Sequence, residues 1–329
     1  MRPTTAAASA AEAHVEFPVR IGPARFANPY FAASGCFGYG LEYARFIAPA
    51  ELGAVVTKTI TLEPRAGNPM PRLQETPSGL LNSIGLQNVG LEVYLRDKLP
   101  ELRAAGGVPI VSFAATTLAE YERMAERLAA CPDIPAVEVN LGCPNVESGG
   151  DRDAAEPRAV ESITRAVKQR LAGKAVAVKL TPNTTDIVAL ARAAEAGGAD
   201  AVVAINTVTG MDIDLQRRRP TFARVRAGLS GPAIFPIALL KVWEIAGAVR
   251  IPVVAVGGIA GPREALKFFM AGAAAVQLGT MLFSKPELLA EVRAGVRDFV
   301  AARGLQHPHE LRLPRGDAPG EGEGEELET

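Results

Sequence analysis

The sequence predicts an α/β protein folded as a (β/α)8 TIM barrel with an N-terminal β-hairpin and inserted active-site loops. Three observations carry this reading. Eight short runs rich in Val, Ile and Ala recur along the chain, and longer stretches of helical period lie between them. Polar residues and glycines gather where the runs end. Near-continuous apolar strands alternating with helices describe a parallel sheet covered on both faces, and eight such units suit a closed barrel better than an open sheet.

The first element, "VEFPVRIGPARFANP" (15–29), reads as a hairpin closing the bottom of the barrel. The strands then follow as "PYFAAS" (29–34), "AVVTKTI" (54–60), "VPIVSFA" (108–114) and "AVEVNLG" (136–142). The series continues with "AVAVKLT" (175–181), "AVVAIN" (201–206), "IPVVAVGG" (251–258) and "AAVQLGT" (274–280). Helical period is clearest over 117–130, 158–173 and 186–198. Long connections, 61–107 and 207–250, follow the second and sixth strands, and function concentrates in such insertions. Residues 15–312 are expected to form the barrel. Residues 1–14, rich in Ala, Thr and Ser, and the acidic Gly/Glu stretch 313–329 are expected to be disordered extensions.

Hydrophobic residues make up 48% of the 329, ample for a large core. A formal net charge of −1 without a basic stripe gives no reason to expect nucleic acid or an anionic membrane as partner. The N-terminus lacks the apolar centre of a secretory signal, and no window approaches the roughly 18 apolar residues a membrane span needs. Cys36, Cys131 and Cys143 are odd in number and lack CxxC spacing. That argues against a disulfide framework, or a zinc or iron–sulfur site in this chain, and fits a reducing cytoplasm.

Ser34, Lys58, Asn140, Lys179, Asn206, Gly257, Gly258, Gly279 and Thr280 fall at or near strand C-termini, the rim where such barrels build active sites. Lys179 alternates with Ala175 and Ala177, so its side chain is expected to point inward. It then needs a carboxylate, for which Glu138 is the candidate, or an anionic ligand. The glycines of "VGGIAGPREAL" and "LGTMLF", after strands seven and eight, point to a phosphate-bearing ligand. His14, His307 and His309 lie outside the predicted barrel, which disfavours a histidine base, triad or metal centre. Cys143, in a loop just past a strand and beside asparagines, is the candidate acid/base or nucleophile. Packing is the expectation for Cys131 and for Cys36 in its glycine-rich turn.

Nine stretches run in one order over residues 17–290: "ASGCFGYG", "TKTITLEPRAGNPMPR", "LLNSIGLQNVG", "VEVNLGCPNV", "VKLTPN", "INTVTGMDID", "GLSGPAIFPIAL", "VAVGGI" and "VQLGTMLF". Together they resemble class 1 dihydroorotate dehydrogenases, FMN-containing barrels of pyrimidine synthesis. "NSIGLQNVG", "NTVTGMDID" and "GLSGPAIFPIAL" are most similar to the 1B subgroup, whose catalytic subunit works with an FAD and [2Fe–2S] electron-transfer subunit and finally reduces NAD+.

The resemblance implies oxidation of (S)-dihydroorotate to orotate in de novo UMP biosynthesis, in the cytoplasm, by a homodimer within a heterotetramer. It implies Cys143 as the base. FMN would be held by Ser34, Lys58, Thr59, Asn140, Lys179, Ile205, Gly231, Gly257, Gly258, Gly279 and Thr280. Substrate would meet Lys58, Asn82, Ser83, Ile84, Gly85, Leu86, Asn140, Asn145, Asn206 and Thr207, and no metal is implied. The residue types suit the chemistry. A thiolate can take the C5 proton while a hydride leaves C6 for the flavin, and a lysine near N1/O2 offsets the charge that develops. Asparagines offer both donors and an acceptor to an amide-like ring. The glycine-rich, charged stretch after Cys143 reads as a lid.

Three positions depart from the family pattern. Ser112 or Phe113 stands where an asparagine is common, Glu147 replaces a basic residue in a shortened lid, and Cys36 replaces a threonine. An FMN-dependent dihydropyrimidine (uracil or thymine) dehydrogenase and a fumarate-linked class 1A enzyme are the alternatives within this chemistry. A Schiff-base aldolase or isomerase using Lys179, and a non-catalytic FMN module, are the alternatives outside it.

Overall fold

The computed structural model describes residues 16–141 and 156–315. Eight parallel strands close a barrel: β1 (Tyr30–Ala32), β2 (Ala54–Val56), β3 (Pro109–Phe113), β4 (Ala136–Asn140), β5 (Ala175–Lys179), β6 (Ala201–Ala204), β7 (Val253–Val256) and β8 (Ala275–Leu278). Each lies inside its predicted apolar run and stops short of the run's end. The reason is visible at β2, where Lys58 N donates to Gly38 O rather than to the neighbouring strand. Beyond the strands only scattered bonds to the neighbouring strand remain, such as the Ile60–Phe113 bridge, and the ends of the runs become the rim.

Alternation along the strands separates two faces. On β4 and β5 the pairs Ala136–Ala175, Glu138–Ala177 and Asn140–Lys179 are in register, so the three residues of each set share the inner face. The first inward positions of β2, β4, β5, β6 and β8 are all alanine: Ala54, Ala136, Ala175, Ala201 and Ala275. These small side chains leave room at the N-terminal end of the barrel. The antiparallel hairpin Val19–Ile21/Ala24–Phe26 fills it, packing Val19, Ile21 and Phe26 into the same cluster. Phe26 and Phe31 meet with ring centroids 4.9 Å apart. The predicted hairpin therefore plugs the bottom, and polar residues are left to the other end.

The outward faces of the strands pack under helices, among them Leu118–Ala129, Pro157–Arg170, Ile187–Ala196, Phe235–Ala248, Pro262–Met270 and Leu288–Ala301. Thr117 and Asp186 cap two of the predicted helices by accepting from Glu120 N and Ala189 N. Alternation lapses between β1 and β2, where the described helix is a single 3-10 turn, Pro49–Glu51. Gly35, Gly38, Gly40 and Pro49 explain why that stretch does not propagate a longer one.

The two long connections do not behave as separate loops. Leu73–Thr76 and Gly79–Asn82 from the first, with Val208–Gly210 and Ala227–Ser230 from the second, form one four-stranded antiparallel sheet. Leu81 pairs Leu229, and Asn82 pairs Gly228 across the junction. Two insertions far apart in sequence thereby build one wall beside the barrel mouth. Among the described residues no helix is long and apolar enough to cross a membrane.

Candidate active site

Five strand exits contribute to one polar seam across the mouth. Ser34 Oγ donates to Thr57 O at 2.8 Å and lies 3.1 Å from Thr59 Oγ1. Thr59 Oγ1 is 2.9 Å from Ser112 Oγ and accepts from Asn140 Nδ2 at 3.2 Å. Asn206 Nδ2 donates to Asn140 Oδ1 at 3.1 Å, and Asn206 Oδ1 accepts from Thr207 N at 2.8 Å. Each amide is thus oriented by its neighbours, and a partly buried chain of this kind holds its donors and acceptors in fixed directions.

The seam also settles which residue stands inward on β3. Ser112 is fully buried beneath Thr59, while Phe113 points outward and packs on Tyr121. A one-residue step along a strand exchanges faces, so the hydroxyl and not the ring is the barrel-side group.

Beside the seam stands Lys179, in register with Asn140, and Glu138 lies one inward layer deeper with Gln277. Gln277 Nε2 donates to Glu138 Oε2 at 2.8 Å, and Lys179 Nζ stands 3.7 Å from Glu138 Oε1. Lys179 is 8% exposed and Glu138 0%, which makes this a buried ion pair. Lys179 also lines the cavity, so the carboxylate and the ligand site are both within its reach.

The opposite wall is made by turns. Thr280 Oγ1 donates to Ser230 Oγ at 2.8 Å, joining the end of β8 to the inserted sheet. Gly257 and Gly258 end β7 with φ of +130° and +78°, and Gly231 carries +94°. At Gly258 a Cβ would lie 2.6 Å from Phe235 Cα, so the turn presses directly on the start of helix Phe235–Ala248.

Together these groups enclose a cavity of about 270 Å³ at the C-terminal mouth. Cys36 lines it beside Lys58 and Lys179. Burial pushes its thiol up to about 11, against the smaller opposing pull of the two lysines. Its raised folded value means the folded chain holds the proton more tightly. Stability is therefore expected to be intact below about pH 9 and lost as pH rises toward 11, by roughly 2 kcal/mol once water in the mouth is allowed for. Urea unfolding at pH 7.5 and 10.5, for wild type and Cys36→Thr, checks this; equal alkaline losses in the two proteins would refute it.

A family model described as dihydroorotate dehydrogenase matches residues 17–300. The chain belongs to the dihydroorotate dehydrogenase family. Among its relatives is the "Dihydroorotate dehydrogenase B (NAD(+)), catalytic subunit" of Trichlorobacter lovleyi, 48% identical over 287 residues that cover 87% of this chain and 94% of the relative. The protein of the same name from Geotalea daltonii is 44% identical over 296 residues, covering 90% and 97%. These matches agree with the predicted 1B subgroup. The dihydroorotate dehydrogenase of Eimeria tenella, solved with ferulenol, superposes with a TM-score of 0.76 over 93% of this chain and 90% of its own. At 20% identity that likeness concerns the fold alone.

Within this dihydroorotate dehydrogenase fold, the residues expected to hold cofactor all line the one cavity: Ser34, Lys58, Thr59, Asn140, Lys179, Ile205, Gly231, Gly257, Gly258, Gly279 and Thr280. So do Asn82, Ile84, Gly85, Leu86, Asn206 and Thr207 from the expected substrate set. Ser83 is buried behind its loop, where its backbone oxygen accepts from Asn68 Nδ2 at 3.0 Å. Cys143 and Asn145 lie outside the described residues, as do Glu147 and the expected lid.

Sequence reasoning missed several cavity residues. Gln277 is the polar residue of the run "AAVQLGT", two positions before Gly279, and strand alternation alone would have turned it inward. Ser230 sits inside a motif stretch already singled out. Phe283 likewise closes the quoted stretch "VQLGTMLF", whereas Leu73 carried no signal, because an isolated apolar residue is ordinary on a surface.

Proposed function

We propose that this chain oxidises (S)-dihydroorotate to orotate in de novo pyrimidine biosynthesis, as the FMN-bearing catalytic subunit of an NAD+-linked enzyme. Electrons would pass onward through a separate FAD and [2Fe–2S] subunit, with two copies of this chain at the centre of a cytoplasmic heterotetramer. The observation that carries the reading is the convergence of an amide–hydroxyl seam, two lysines and a glycine-lined wall on one cavity. The names of the relatives, catalytic subunits of an NAD(+)-linked dihydroorotate dehydrogenase B, support the acceptor and a separate partner.

The residues present fit FMN. A Cβ on Gly279 would meet Ala33 and Cys36 only at 3.4 and 3.5 Å, so a ligand can approach that backbone closely. Ser230 and Thr280 supply hydroxyls at the phosphate end, while Lys179 supplies N–H groups beside Asn140. When bound, FMN would supply the hydride-accepting chemistry that no amino-acid side chain offers.

The chain's own groups do the rest. Lys58 and the loop Asn82–Leu86 would receive the substrate carboxylate, a charge that dihydropyrimidines such as dihydrouracil lack. Asn82, Asn140, Asn145 and Asn206 would orient the ring by its amide edges, each with both donor and acceptor capacity. Cys143 would take the C5 proton, a role assigned by the family resemblance.

Anaerobic titration of the FMN-loaded chain tests the substrate. Dihydroorotate is expected to bleach the visible flavin band, and dihydrouracil to leave it unchanged. Bleaching by dihydrouracil without dihydroorotate would instead select the dihydropyrimidine reading. Full turnover with fumarate by the isolated chain would move the assignment to class 1A.

A further inference from the structure

We infer that Glu138 is a positioning residue for Lys179, and that with Gln277 it sets the charge presented to a flavin in the cavity; this rests on the flavin-binding reading above. Glu138 is wholly buried inside the barrel. A carboxylate there is costly unless its oxygens are paired. One oxygen is paired: Oε2 accepts from Gln277 Nε2 at 2.8 Å. The other, Oε1, has no hydrogen-bond partner among the described residues. Lys179 Nζ stands 3.7 Å from it, near enough for ionic attraction and too far for a hydrogen bond.

The strand register shows what this spacing does. Lys179 pairs with Asn140 at the rim, whereas Glu138 pairs with Ala177, one inward layer deeper. The ammonium therefore has a carboxylate below it and the ligand cavity above it. Its pull toward Glu138 competes with any pull from a negatively charged group in the mouth. Gln277 adds a second competition, because it holds the far oxygen of the same carboxylate.

Removing each group has a different sign. Glu138→Gln deletes a negative charge near the flavin and frees the ammonium to rise, so both consequences favour the electron-rich, reduced flavin. Gln277→Leu leaves the carboxylate without its other donor, so it turns to Lys179 and draws the ammonium down. A purely structural role for the pair predicts lost stability in both variants and no opposed shifts.

The test is the two-electron midpoint potential of the FMN-loaded chain, measured by anaerobic equilibration with a reference dye. Glu138→Gln is expected to move the reduced-to-oxidised ratio about tenfold toward reduced at a fixed ambient potential, about 30 mV upward. Gln277→Leu is expected to move it about threefold the other way. An unchanged or lowered potential in Glu138→Gln, or shifts of the same sign in both variants, overturns the inference. If Glu138→Gln retains no FMN, Gln277→Leu decides alone: a shift toward oxidised supports the inference and no shift overturns it. A wild-type chain that takes up no FMN overturns the flavoprotein reading itself, a distinct result from a loaded chain indifferent to Glu138.

Discussion

Cys143→Ser is expected to slow the bleaching of the FMN-loaded chain by dihydroorotate about 10²- to 10⁴-fold near neutral pH, the range a positioned general base contributes. His14 lies outside the described residues, and His307 packs edge-on against Phe17 and beside His309, away from the cavity-lining set. Lys179 at the mouth faces Glu138 at 3.7 Å, and burial pushes the Cys36 thiol up to about 11. Cys143 follows a strand whose last residue, Asn140, sits in the polar seam. Serine preserves size and polarity but is a far weaker acid, so little of it is ionised at neutral pH. The variant's rate should therefore keep rising with pH where that of the wild type has levelled. Stopped-flow bleaching from pH 6 to 10 checks both features. A variant within tenfold of wild type at pH 7.5 would remove Cys143 from the role of base.

Much of this site was legible because strand ends are legible. Alternation placed Lys179 with Ala175 and Ala177, and the structure puts all three on the inner face of β5. The glycines after β7 were readable for a related reason: a turn that must approach another backbone tolerates no side chain. What stayed hidden depended on contacts between distant segments. Nothing local in "QETPSGLLN" or "RAGLSG" says that the two will pair as strands, since register is set by the partner as much as by either sequence. Cys36 was expected to pack in a glycine-rich turn, and it does border a wall, but the wall is that of the cavity. The orientation of the Thr59–Asn140–Asn206 seam was equally out of reach, because an amide's direction is fixed by neighbours from other strands. Ser112 was left undecided with Phe113 because the strand's face reverses at every residue.

Gly258→Ala and Gly279→Ala are expected to impair FMN binding through opposite routes, and the contrast between them tests the cradle. Gly258 has φ of +78°, a conformation that costs an alanine roughly 1–2 kcal/mol. The added Cβ would also fall 2.5–2.7 Å from Phe235 Cβ, Cα and N, two of them backbone atoms that cannot swing aside. Helix Phe235–Ala248 would have to move, taking with it the Gly231–Ile234 turn that forms the neighbouring wall. The expected outcome is a lower melting temperature without cofactor, and FMN affinity reduced about 100-fold or more, equivalent to about 3 kcal/mol. Gly279 behaves differently. Its φ of −129° lies outside the left-handed region, and its Cβ would meet only Ala33 and Cys36 at ordinary contact distances. Without FMN, Gly279→Ala should therefore melt far closer to wild type than Gly258→Ala does, since its methyl clashes with nothing. Its methyl would instead stand in the space through which the phosphate end approaches the backbone, lowering FMN affinity about tenfold or more. Thermal melts of the apo-proteins, paired with FMN titrations, separate the two routes. Equal FMN affinity in wild type and Gly279→Ala would mean that the cofactor does not come close to the end of β8.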